Sequence, residues 1–125
     1  FLSWRAAHFM YTMAAESDAD LTLVGHAAFR SFRCVWMLEE LGVKYKHVEA
    51  KPRSPDAIRM NPMGKIPSLQ DGDFVMYESA AINTYLGDKF RGSGVDLVPV
   101  AGTTLRGRYE QLVSFLAMEV DAQAL

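Results

Sequence analysis

Cysteine, histidine and long apolar runs are scarce in this 125-residue chain, and each shortage argues against a class of protein. The single cysteine, Cys34, allows no intramolecular disulfide and no Cys-x-x-Cys motif, which fits a reducing compartment. The three histidines and this cysteine show no metal-ligand spacing, so no metal is expected. No apolar run approaches the length of a membrane span, so no membrane partner is expected either.

Strong charge and catalytic signature motifs are also missing. Thirteen basic and fifteen acidic side chains give a net charge of −2, which does not favour a nucleic-acid partner. The sequence contains neither a Gly-x-Ser-x-Gly elbow nor a phosphate-binding glycine loop. Half of the residues are hydrophobic, so the chain can bury one core but not the cores of two full domains.

The first half of the chain predicts a strand, a helix and a second strand. Leu21–Val24 is a short apolar run, and residues 45–49 are half polar, as an edge strand would be. Between them, Ser31–Leu41 has helical spacing of apolar residues, with Ser31 as the expected N-cap and Gly42 as the stop. A strand, an eleven-residue helix and a strand normally form a parallel crossover.

The next segment predicts a hairpin and a helix. Residues 71–73, Asp-Gly-Asp, read as a tight turn between a strand that starts at Ser68 and a returning strand, Phe74–Tyr77. A helix is expected over residues 80–90. The predicted fold class is therefore α/β, a βαβ–ββα unit with a mixed sheet.

Two features of this hairpin predict a ligand slot. Pro67 stands just ahead of Ser68, where the strand begins, so the backbone groups of Ile66 are expected to face away from the sheet, unpaired. Glu78 and Ser79 fall at a strand-to-helix junction, where free amides and the helix dipole favour an anion. Together they predict a slot for an extended, peptide-like, negatively charged ligand.

Four segments, residues 21–25, 33–42, 61–67 and 77–82, resemble a known family when taken in order. They are similar to the amino-terminal, thioredoxin-like domain of cytosolic glutathione transferases, in particular to the phi-like and bacterial branches that use a serine. The resemblance covers roughly residues 20–90. The Asn-Pro-Met-Gly-Lys-Ile-Pro run and the Glu-Ser pair are quite specific for this fold and less specific for the activity.

The resemblance implies how glutathione would bind. It implies a cis bond between Ile66 and Pro67, with the Ile66 backbone presented to the cysteinyl part of glutathione. Glu78 and Ser79 match the positions that hold the γ-glutamyl end, through the ammonium group and the carboxylate respectively. Lys65 falls where the family often has a glutamine that contacts glutathione, and Arg53 lies near a position that often contacts the glycyl carboxylate.

The resemblance also implies a residue that activates the thiol, whose pKa is about 8.5 when free. Phe29 stands where the family has its serine, which leaves Ser31 and His26 as candidate catalytic residues. Ser31 could instead only cap the helix, and His26 could be a locally bonded loop histidine. Cys34 could act as the reactive cysteine of a glutathione-dependent thiol reductase, although a buried, inert cysteine is the favoured interpretation.

The ends of the chain complete the prediction. We expect an unassigned extension over residues 1–19, the glutathione-binding domain over 20–90, a linker over 91–102, and the start of a truncated helical domain over 103–125. The apolar stripe of that last segment, Leu105, Tyr109, Leu112 and Leu116, has little to pack against. We therefore expect a fragment of a longer protein.

The resemblance implies a cytoplasmic detoxification enzyme that conjugates the glutathione thiolate to a small electrophile. Glutathione would be its co-substrate, with no metal, and the full-length protein would be a homodimer. The alternative is a non-catalytic, transferase-like module for binding or assembly.

Overall fold

A computed structural model describes residues 20–123 of the chain. The helices and strands follow in the order β1 (Leu21–Val24), α1 (Ser31–Leu41), β2 (Lys46–Val48), α2 (Pro55–Met60), β3 (Ser68–Asp71), β4 (Phe74–Tyr77), α3 (Ser79–Lys89) and α4 (Thr104–Phe115). A π-helical segment, Leu116–Asp121, continues α4.

The four strands form one mixed sheet in the order β2-β1-β3-β4. Strands β1 and β2 are parallel and joined through α1, whereas β3 pairs antiparallel with both β1 and β4. The half-polar strand β2 lies at an edge, as its composition predicted. The predicted α/β class, with a mixed sheet in a βαβ–ββα order and a following helix, is confirmed.

Helices α1 and α3 pack against each other and supply the main core together with the sheet. Leu23 and Leu69 are fully buried on neighbouring strands, and Val35, Leu38 and Ile82 cover them from the helices. Burial of such side chains contributes roughly 1.5–3 kcal/mol each. This core fixes the start of α3 relative to the start of α1, which matters because both helix starts border the site described below.

The ends of α1 confirm one prediction and correct another. Gly42 adopts the left-handed conformation, φ 64°, and ends the helix as expected. Ser31 is not the N-cap, because it is the first helical residue, and Arg30 occupies the cap position without a side-chain capping bond. The Ser31 side chain is fully buried and so points into the protein.

The short helix α2 was not predicted from the sequence, although its start signal is present. The Ser54 hydroxyl accepts a hydrogen bond from the Ala57 amide at 3.3 Å, and Pro55 follows as the first helical residue. Ser-Pro is a typical helix start. Six residues give too little periodicity for the pattern to be recognised as a helix.

The segment after α3 folds back on that helix. Val98, between α3 and α4, is buried against Gly87 of α3. Arg106 of α4 donates to the Asp88 carboxylate at 2.8 and 3.0 Å and to the Pro99 carbonyl at 2.8 Å, so one side chain joins α3, the connecting segment and α4. Over residues 20–123, no helix has the length and apolar character needed to cross a membrane.

Helix α4 starts as predicted, because the Thr103 hydroxyl accepts a hydrogen bond from the Arg106 amide at 3.1 Å. Its apolar stripe is largely exposed: Leu105, Leu112 and Leu116 keep 65%, 52% and 53% of their surface accessible.

Candidate ligand-binding site

The two halves of the predicted slot lie at the same end of the β3–β4 hairpin. Ser68 pairs with Tyr77 in the antiparallel register, so Ile66, two residues before Ser68, and Ser79, two residues after Tyr77, leave the sheet together. The Ile66–Pro67 bond is cis. Within residues 20–123 the backbone N–H and C=O of Ile66 have no hydrogen-bond partner. This backbone can therefore pair with an extended ligand.

Glu78 is held in a conformation that non-glycine residues rarely adopt. Its φ is 77°. Glu78 is the N-cap residue of α3, but its side chain makes no capping hydrogen bond to that helix. Such strain persists where the surroundings enforce it, and it is frequent at ligand-binding positions. The neighbouring Ser79 is the first residue of α3 and largely buried, and its Oγ accepts a long hydrogen bond, 3.5 Å, from Arg33 Nη1.

A cleft of about 430 Å³ lies beside Ile66 and is lined by Ala28, Phe29, Arg30, Pro52, Lys65, Ile66 and Asp121. Lys65 is exposed, and its carbonyl accepts a hydrogen bond from Asn61 Nδ2 at 3.4 Å, which fixes its backbone. Arg53 follows the lining residue Pro52, and its amide donates to the Gly64 carbonyl at 2.7 Å. Of the predicted binding residues, Lys65 and Ile66 thus line this cleft, and Arg53 lies next to it.

The two predicted activating residues do not line this cleft. Ser31 is 0% exposed, and its Oγ has no hydrogen-bond partner among the described residues. It lies beneath Gly25, where an added Cβ would come within 2.2 Å of that oxygen. His26 accepts a hydrogen bond at Nδ1 from the Ala28 amide, 3.0 Å away, and its Nε2 is 4.0 Å from Glu49 Oε2.

Phe29 is half exposed, at 50%, and stands on the cleft wall at the position where a serine was expected. Its ring meets the edge of the His26 ring, with centroids 6.1 Å apart. The wall of the cleft closest to the start of α1 is therefore aromatic at this position.

Cys34 is fully buried, and its thiol donates a hydrogen bond to the Ser79 carbonyl at 3.7 Å. Burial raises the pKa of the Cys34 thiol to about 12, although the positive charge of Arg33 acts in the opposite direction. A protonated, inaccessible thiol does not attack disulfides. This contradicts the thiol reductase interpretation and confirms the inert, buried one.

Sequence reasoning missed three charged residues that connect the site. The Asp121 carboxylate accepts from Arg33 Nη2 at 2.7 Å and Nη1 at 3.3 Å, and from Arg30 Nε at 2.8 Å. Hydrogen bonds from Arg33, reinforced by the charges of both arginines, hold the pKa of Asp121 below its usual range. The two arginines stand three residues apart in the sequence, but nothing in the sequence links them to a carboxylate about ninety residues later.

Asp121 also lies where two clefts meet. The second cleft, about 460 Å³, runs between α3 and the end of α4, with Arg33, Ser79 and Asn83 on its polar side. Its remaining lining residues are mostly apolar; apart from Ala80 of α3, they come from α4 and the π-helical segment. The site therefore extends from Lys65 and Ile66, past Asp121, to Ser79.

Comparison with known proteins places this arrangement in a family. The family model for the glutathione S-transferase N-terminal domain matches residues 19–88. The chain is similar to glutathione S-transferase F10 of Arabidopsis thaliana, with 38% identity over 98 residues that cover 73% of this chain and 44% of that protein.

Two solved structures are also similar. One is a theta-class glutathione S-transferase from Xanthomonas axonopodis pv. citri with glutathione bound: 28% identity, TM-score 0.68, covering 80% of this chain and 49% of that one. The other is glutathione transferase URE2P8 from Phanerochaete chrysosporium with oxidized glutathione: 29% identity, TM-score 0.70, covering 81% and 49%. The chain spans less than half the length of these relatives, and over that part it belongs to the glutathione S-transferase family through the N-terminal domain.

Proposed function

We propose that this chain binds glutathione along the slot between Ile66 and Ser79. The observation that carries the proposal is the unpaired Ile66 backbone, set at the same end of the hairpin as the strained Glu78 and the first residue of α3. The cysteinyl part of glutathione would pair with the Ile66 backbone as an added strand does.

In this proposal, each charged group of glutathione meets protein groups that complement its charge. The γ-glutamyl carboxylate would accept hydrogen bonds from the Ser79 hydroxyl and from the free amides at the start of α3. Its ammonium group would pair with the Glu78 carboxylate. Lys65 and Arg53 would bind the glycyl carboxylate on the opposite side of Ile66.

For the whole protein we propose glutathione conjugation. The bound thiol loses its proton to water, and the thiolate attacks an electrophilic carbon, forming a sulfur–carbon bond as the leaving group departs. Residues 20–90 would be the glutathione-binding domain, 91–102 the linker, and 103–125 the start of a helical domain that receives the electrophile. A homodimeric, cytoplasmic detoxification enzyme is the corresponding proposal for assembly, location and role.

Calorimetric titration of the chain with glutathione tests the binding proposal. Wild type should bind, and Glu78→Ala and Ser79→Ala should each weaken binding by roughly tenfold, since each removes a charge-assisted bond. Ser114→Ala, which removes an exposed hydroxyl on α4, is the matched control and should change nothing. Equal affinities for wild type, Glu78→Ala and Ser79→Ala would refute this placement of glutathione.

A non-catalytic binding module is the second candidate function. Phe29 on the cleft wall and the complete burial of Ser31 support it, because the cleft then lacks the expected activating hydroxyl. Conjugation of glutathione to an activated aryl chloride separates the two candidates when the chain is fused to the helical domain of a relative. Binding without turnover in that fusion would favour the module, and turnover above the uncatalysed rate would favour the enzyme.

A further inference from the structure

We infer that Arg30 stabilises the thiolate of bound glutathione by its charge, in the absence of an activating hydroxyl at Phe29. The inference rests on the proposed function, since it concerns the thiol that the slot would hold beside Ile66. It assigns a catalytic role to a residue that the sequence pattern did not single out.

The wall of the cleft beside Ile66 offers no side-chain hydroxyl to a bound thiol. None of the seven residues that line the cleft beside Ile66 carries a hydroxyl group. Ser31 is buried beneath Gly25, and the Nδ1 atom of His26 is already used by the Ala28 amide. The side chains in this wall that can stabilise a negative sulfur are therefore the cationic ones, Arg30 and Lys65.

Positive charge predominates around this cleft. Arg30 and Lys65 line the same cleft as Ile66, and Asp121 is the acidic residue that faces them. Arg30 uses its Nε to donate to Asp121, and within residues 20–123 its two terminal nitrogens have no partner. Asp121 is shared with Arg33, so the two arginines, Lys65 and one carboxylate leave an excess of two positive charges.

The guanidinium group suits this role because its positive charge is permanent. Arginine stays protonated at any pH at which the protein is folded, so it acts as a fixed charge and not as a base. A cation next to a thiol lowers the thiol pKa because it stabilises the thiolate, and the proton leaves to water. The Asp121 carboxylate fixes the Nε edge of Arg30, which leaves the opposite edge of the guanidinium available to the sulfur.

Thiolate absorbance of glutathione, titrated across pH at saturating protein, tests this role. Wild type should lower the pKa of the bound thiol below about 8.5. Arg30→Gln should raise it again by about one unit, the effect expected of one cation within about 4–6 Å, and Arg30→Lys should restore most of the shift. Arg108→Gln, an exposed arginine on α4 that donates to Gln111, is the matched control and should match wild type.

Each other outcome overturns the inference in a distinct way. An unchanged bound-thiol pKa in Arg30→Gln, together with a raised one in Ser31→Ala or His26→Asn, would assign activation to the hydroxyl or the imidazole. Binding without any lowering of the pKa in wild type would mean that nothing activates the thiol, while glutathione binding itself stands. No binding by wild type would refute the proposed function and the inference together.

Discussion

Replacing Gly87 by alanine should destabilise the chain, although alanine is normally the better helix former. Gly87 lies within α3, and a Cβ placed there would be 2.2 Å from Val98 Cγ2 and 2.9 Å from Val98 Cβ. Val98 is buried and β-branched, so neither its position nor its rotamer can adjust freely. Overpacking costs about 1–3 kcal/mol, against a gain of about 0.5–1 kcal/mol from helix propensity, and the middle of these ranges leaves a net loss of about 1 kcal/mol.

Urea denaturation measures this loss. With a slope of about 2 kcal/mol per molar, the midpoint should fall by about 0.5 M with an unchanged slope. Gly107→Ala is the matched control, because Gly107 is also helical but has nothing within 4 Å of an added Cβ. It should raise stability by about 0.5–1 kcal/mol. A Gly87→Ala variant as stable as Gly107→Ala would show that Val98 does not pack on α3 as described.

Three further predictions concern the site. Iodoacetamide should leave Cys34 unmodified in the native chain at pH 8, because the thiol is buried and its pKa is raised to about 12. Mass spectrometry measures the modification, and rapid labelling of Cys34 would contradict its burial. Glu78→Gly should raise the free energy of unfolding by about 1 kcal/mol because glycine relieves the strain of the positive φ, and it should weaken glutathione binding because the carboxylate is lost. Thermal melts test the gain in stability, calorimetric titration tests the loss of affinity, and an unchanged value in either measurement would contradict the corresponding expectation. The pKa of Asp121 is lowered in the folded state, so its ion pairs with the two arginines should stabilise the chain at any pH above the usual pKa of an aspartate. This stabilisation should be lost as the pH falls through the lowered pKa of the folded state. The free energies of unfolding of Asp121→Asn and wild type in urea should therefore differ at pH 6 and converge towards pH 2.

Much of the fold could be predicted from the sequence because its signals are local. The helix from Ser31 to Leu41 carries regular apolar spacing and ends at a glycine, and its bounds agree with the structure. The hairpin turn at Gly72 and the edge position of β2 follow from similarly local patterns. The helix cap at Ser31 was wrong because the residue types that cap a helix also occur as small, buried residues within its first turn.

The site could be predicted only where the sequence brings its residues close together. Ile66 and Ser79 belong to one hairpin, so strand register alone places them at the same end. Asp121, in contrast, lies in the segment that continues α4, and it meets Arg30 and Arg33 across about ninety residues of sequence. No pattern within a short window of sequence can reveal a contact of that kind.

We propose that glutathione binds as an added strand at Ile66 and as an anion at Ser79. Amide chemical shifts of the ¹⁵N-labelled chain, followed during titration with glutathione, test it residue by residue. This mode of binding predicts saturable shifts at Ile66, Ser79 and Ala80, with little change at the remote amides of Gly42 and Arg108. Saturable shifts confined to residues outside the slot, or none at all, would contradict this mode of binding.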